Sequence, residues 1–68
     1  MELKNVTSSN INKVGYENGI LQIVFKDKGV YNYKDVPENI FTDLLKSLSI
    51  GSFFHRNIKN VFDFDKED

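Results

Sequence analysis

Val14-Gly15-Tyr16-Glu17-Asn18-Gly19-Ile20-Leu21-Gln22-Ile23-Val24-Phe25 is the stretch on which the fold turns. Apolar and polar residues alternate on both sides of Asn18-Gly19. An Asn-Gly pair between two such runs is a strong hairpin signal, because a type I′ turn needs positive φ at both central positions. With that pair as the loop, Glu17 faces Ile20, Tyr16 faces Leu21 and Val14 faces Ile23. Downstream, Asp27-Lys28-Gly29 suits a three-residue loop with Gly29 left-handed. That loop sets Lys26 opposite Val30, Phe25 opposite Tyr31 and Ile23 opposite Tyr33. Opposed residues share a face of a sheet. One face therefore gathers Val14, Tyr16, Leu21, Ile23, Phe25, Tyr31 and Tyr33. The other gathers Lys13, Glu17, Ile20, Gln22, Val24, Lys26, Val30, Asn32 and Lys34. Two independent turns give one apolar face, which predicts a three-stranded antiparallel meander from Ile11 to Lys34.

A helix should follow. Asp35-Val36-Pro37-Glu38 offers an acid for the N-cap, a proline in the first turn and a glutamate at capping-box spacing. Ile40, Phe41, Leu44, Leu45 and Leu48 then fall on one helical stripe, and Gly51 suits the position after a helix end. Ser52 can cap a second short helix on which Phe54 and Ile58 share a face. Val61-Phe62-Asp63-Phe64 has extended character, with Phe62 and Phe64 on one side. Residues 1–10 are polar around Thr7-Ser8-Ser9-Asn10 and predict an irregular lead-in. The expectation is an α+β domain in the order β-β-β-α-α, the main helix packed on the apolar sheet face.

The chain has 68 residues, enough for one domain with a thin core. It contains no cysteine, which excludes disulfides and thiolate metal sites and fits a reducing compartment. No run approaches the roughly 20 apolar residues that span a membrane, and Met1-Glu2-Leu3-Lys4-Asn5 lacks a signal-peptide core. These features predict a cytoplasmic protein without a membrane partner. The net charge of -1 is uneven: residues 63–68 hold four acids and one lysine, so the rest is mildly basic at +2. Alanine is absent while asparagine and lysine occur eight times each, a bias that suggests an AT-rich source such as a low-GC bacterium or its phage.

Tyr31-x-Tyr33, Asp35-Val36-Pro37, Leu44-Leu45, Gly51-x-Phe53-Phe54 and Ile58-Lys59 stand in an order that resembles the KTSC domain. Ser9, Ile11, Val14 and Tyr16 fit that family's first strand. The module is named after the C-terminal end of some lysyl-tRNA synthetases and also stands alone in bacteria and phages. The sequence departs from the pattern at His55, where asparagine is expected, and at Lys59, where arginine is usual. The resemblance implies a domain over residues 7–64, followed by an acidic tail over 65–68. It implies structural roles for Tyr31, Tyr33, Pro37, Gly51, Phe54 and Ile58, and it suggests RNA as a partner.

No catalytic set emerges. His55 is the single histidine, and neither Asp35 nor Asp43 is tied to it by spacing. The serines sit in no elbow or triad context, and the glycines read as turn and cap residues. Neither a metal nor a cofactor is expected. Tyr31-x-Tyr33 invites a base-stacking reading. The register argument places both rings on the covered face, where core packing, with the hydroxyls reaching polar partners, is the plainer account. Candidate binding residues are then Lys13, Lys26, Asn32 and Lys34 on the open sheet face and His55, Arg56 and Lys59 on the second helix. Two readings stay open. One is a protein-interaction module using the Ile20/Val24/Val30 face or a sheet edge, with self-association among its outcomes. The other is an RNA-binding accessory domain touching phosphates through those basic residues. The near-neutral charge and the acidic end favour the first.

Overall fold

Asn18 (φ 52°) and Gly19 (φ 82°) form the tight turn that the sequence predicts. The turn joins β2 (Ile11–Glu17) to β3 (Ile20–Phe25), with Glu17 opposite Ile20, Tyr16 opposite Leu21 and Val14 opposite Ile23. The computed structural model describes residues 1–67. It adds β1 (Leu3–Asn5) before this hairpin, then β4 (Gly29–Tyr33), α1 (Glu38–Lys46), α2 (Ile50–Asn57) and β5 (Phe64–Glu67). The five strands form one antiparallel sheet in the order β1-β2-β3-β4-β5. The α+β class with two helices holds; the sheet has five strands, not three. Among the described residues no helix is long and apolar enough to cross a membrane.

The second turn corrects the register. Gly29 is left-handed (φ 92°), as expected. It lies in the ladder opposite Phe25, so Ile23 faces Tyr31 and Leu21 faces Tyr33, two residues away from the expected pairing. Lys26 leaves the strand for the turn, and its N–H donates to the Asn10 carbonyl at 2.8 Å. Because side chains alternate with a period of two, this slip exchanges partners without exchanging faces. Val14, Leu21 and Ile23 are fully buried on the covered face and Tyr33 nearly so, with Tyr16, Phe25 and Tyr31 packed around them.

Ile11 joins that face through a β-bulge. It pairs with Phe25 while Lys13 pairs with Val24, so Asn12 is one residue more than the partner strand supplies. Beyond β2, the expected irregular lead-in is instead strand β1, with Leu3 opposite Gly15. The described part of the acidic end also pairs with the sheet. Asp65 and Glu67 stand in β5 opposite Asn32 and Val30. Asp68, the last residue of the expected tail, lies outside the described residues.

The helices also start differently. A residue before proline is held extended, so α1 cannot begin at Asp35, which is itself left-handed (φ 56°). The N-cap is Pro37, without a side-chain hydrogen bond. Val36, buried, donates its N–H to the Gly19 carbonyl at 2.9 Å and accepts the Tyr16 hydroxyl on its own carbonyl. It thereby ties the hairpin turn to the helix entrance. Of the expected stripe, Leu44 is fully buried and Ile40 and Phe41 are half-buried, with Phe41 stacked on Tyr16 at 5.4 Å. Leu48 lies beyond the helix end and is wholly exposed. α1 stops at Lys46 with Ser47 as its C-cap, and α2 is capped by Ser49, whose side chain accepts from the Ser52 N–H at 3.3 Å. Gly51 is therefore the second residue of α2, not a stop, and Ser52 lies inside the helix. Ile50, Phe54 and Ile58 recur every four residues and bury against the sheet. A turn over 58–62 follows, with Asn60 left-handed (φ 66°) and Val61 exposed, so the extended run begins only at Phe64.

Candidate functional site

Where α2 leans over the end of the sheet, a groove of about 840 Å³ opens on the covered side. Its floor is aromatic. Phe25 meets Tyr31 edge-on at 5.2 Å and Phe54 at 5.4 Å, and Phe54 meets Tyr33 edge-on at 5.5 Å. Tyr31 and Tyr33, two apart on β4 and so on one face, stack at 6.5 Å. Phe64 of β5 closes over both, its centroid 5.2 Å from Tyr31 and 5.4 Å from Tyr33, and the Lys66 ammonium sits 5.8 Å above the Tyr31 ring.

The rim carries the charge. Burying Ile50, Phe54 and Ile58 turns His55, Arg56 and Lys59 toward the opening, and Lys28 from the β3–β4 loop joins them. Opposite stand Thr7, Ser8 and Ser9. Ser8 is fixed by accepting from the Asn10 and Ile11 N–H groups at 3.4 Å each. Gly51 lies across from Ser8, where a Cβ would make an ordinary contact of 3.6 Å with the hydroxyl. No aspartate or glutamate among the described residues lines the groove. Among the described residues Lys28, Arg56 and Lys59 make no ion pair. Burial, and secondarily the neighbouring Tyr31, pushes the Tyr33 hydroxyl up from 10.0 to about 12. Both tyrosine hydroxyls are expected to reach polar partners; among the described residues it is the Tyr16 hydroxyl that does so, donating to the Val36 carbonyl.

The seven candidate binding residues fall on two surfaces. His55, Arg56 and Lys59 share the groove with Tyr31, Tyr33, Gly51 and Phe54. Lys13, Asn32 and Lys34 lie on the open sheet face, and Lys26 sits at the exposed end of the β3–β4 hairpin. Lys34 pairs with Asp65 at 3.4 Å. Asn32 and Gln22 each donate to the Glu67 carboxylate at 2.8 Å, and Gln22 also donates to Asn32 at 2.8 Å. Ile20, Val24 and Val30 are half-buried there. Pro37 is exposed at the start of α1, away from the groove, and Ile58 is core. Sequence reading missed Thr7–Asn10, Lys28, Leu48 and Phe64 as groove residues, because only the folded chain brings these distant segments together. Among the described residues no three histidine, aspartate or glutamate side chains converge as a metal site. The arrangement offers cations, hydroxyls and ring faces around one opening.

The family model for the KTSC domain matches residues 7–62. A crystal structure of a KTSC domain protein from Yersinia pestis superposes with a TM-score of 0.96 at 35% identity, over 98% of this chain and 97% of that one. No curated protein matches the chain.

Proposed function

The chain belongs to the KTSC domain family, and on that premise we propose that it is a non-catalytic binding module whose groove takes single-stranded RNA. The carrying observation is the rim of Lys28, His55, Arg56 and Lys59, with no acid among the described lining residues, over a floor of Phe25, Tyr31 and Tyr33. Phosphates are drawn to such cations and unstacked bases to such rings. The volume of about 840 Å³ is in the range of small-ligand sites and fits a short stretch of strand, not a duplex. The synthetase context of the family points the same way. A protein partner is the second reading, favoured by the wholly exposed Leu48 at the groove mouth. It calls for an acidic peptide with an apolar anchor. The open sheet face lends that reading little, because its apolar residues are half-buried and its Lys34 is already paired.

Fluorescence anisotropy with a labelled uridine hexamer tests the proposal. About three rim cations predict a slope of log affinity against log salt near -2, at about -0.7 per phosphate neutralised. Reversing Arg56 and Lys59 together to glutamate should lower affinity by about tenfold or more, whereas Lys34→Glu on the opposite face should change it by less than about twofold. Absence of salt-sensitive affinity at low ionic strength sinks the RNA reading. An acidic peptide that binds the same rim instead supports the second.

A further inference from the structure

We infer that β5 is a detachable strap, which closes Phe64 and Lys66 over the Tyr31 and Tyr33 rings and leaves β4 before the central ladder of β2, β3 and β4 opens. This builds on the reading of the groove as a site for stacked rings. β5 is an edge strand bonded only to β4, and all four of its residues are exposed, Phe64 at 50%. Its hold on the sheet is peripheral: the Lys34–Asp65 ion pair lies at the surface, the two side chains 44% and 75% exposed, and the Glu67 carboxylate takes amide bonds there too. The strands β2, β3 and β4, in contrast, contribute fully or almost fully buried side chains. Segments with few buried apolar contacts open at lower free energy than the core.

What the strap covers gives the opening its meaning. Phe64 lies 5.2 and 5.4 Å from the two tyrosine rings and Lys66 puts a cation 5.8 Å above Tyr31. A ring and an ammonium from the chain itself thus occupy faces that a stacked base would use. In the closed state β5 competes with the ligand, and apparent affinity falls by the fraction of molecules that are closed.

Native-state hydrogen exchange on the full, unmodified chain tests the strap without any ligand. The β5 amides should exchange at least about tenfold faster than the β2–β3 ladder, and with little dependence on low denaturant. Exchange of β5 at the rate and denaturant slope of β3 would overturn the inference. A second arm closes the strap covalently. Val30 and Glu67 are Cα partners and the chain has no cysteine, so Val30→Cys with Glu67→Cys gives one cross-strand disulfide. The oxidised form should bind the uridine hexamer at least about fivefold more weakly than the same protein reduced. Equal affinity in the two forms overturns gating. A hexamer that binds neither form nor the parent defeats the RNA reading alone, and the exchange result then decides the strap.

Discussion

The two faces of the sheet distribute charge in opposite ways. On the open face the acids have partners: Asp65 pairs with Lys34, Glu17 with the Met1 ammonium at 3.0 Å, and Glu67 accepts from the amides of Gln22 and Asn32. On the covered side the cations of the groove rim meet no acid among the described residues. Sequence arithmetic describes a mildly basic body and an acidic end, as if the two were separate. Folding lays that end along one edge of the sheet, where Asp65 pairs with Lys34 and Glu67 bonds the Gln22 and Asn32 amides, away from the groove cations. A lysine count therefore says little about binding until each lysine has been given its partner.

The contrast can be broken most strongly from the covered side. Tyr33→Ala removes a ring that is 4% exposed and packed between Phe54 and Phe64, and should cost about 3–5 kcal/mol in a denaturant melt. An unchanged midpoint would mean that the ring contributes nothing to the core. Tyr33→Phe keeps the packing and isolates the hydroxyl. Burial raises its pKa from 10.0 to about 12, so the folded state holds the proton more tightly than the unfolded chain. Its contribution is complete below pH 10 and is lost as pH rises toward 12. Alkaline melts should show that loss in the parent and a flatter profile in Tyr33→Phe.

From the open side an intermediate effect is expected at Gly15. A Cβ there would lie 2.7 Å from Leu3 Cδ2 and 2.9 Å from the Glu2 carbonyl. Gly15→Val should therefore displace β1 and cost about 1–3 kcal/mol, as overpacking does. Amide protection should disappear from β1 and persist in β3; protection kept in both would show that β1 does not rest on this glycine. The smallest effect belongs to Asp65→Asn. The pair with Lys34 is solvent-exposed, so its loss should lower stability by less than about 1 kcal/mol, and the difference should vanish at high salt. A larger, salt-resistant loss would mark the open face as more than a balanced surface.

The central sheet was legible because its turn chemistry and its period of two agree. Even the mistaken pairing of β3 with β4 left every side chain on its proper face, since it slipped by two residues. The edge strands were not legible. Leu3–Asn5 and Phe64–Glu67 bury no side chain fully, so neither shows the alternation that marks a half-buried strand. Helix boundaries failed where several capping residues compete. Ser47, Ser49 and Ser52 lie within six positions, and the pre-proline restriction on Val36 outweighed the acid at Asp35. Of the groove, the tyrosine pair and His55-Arg56 were visible as local motifs. Lys28, Leu48, Phe64 and the Thr7–Asn10 segment carry no local mark of a shared wall.

Asn12 acts as a phase correction in the chain. Ile11 and Val14 are three apart, an interval at which a regular strand would send them to opposite sides, and both are fully buried because the bulge absorbs the odd residue. Loops around this sheet can change length at modest cost; β2 cannot lose this one position without a forced choice. A chain without Asn12 would have to keep Ile11 in the core and break the ladder, or keep the ladder and turn Ile11 into water. One polar, exposed side chain thus sets the parity of the strand, and its importance lies in being counted, not in what it touches.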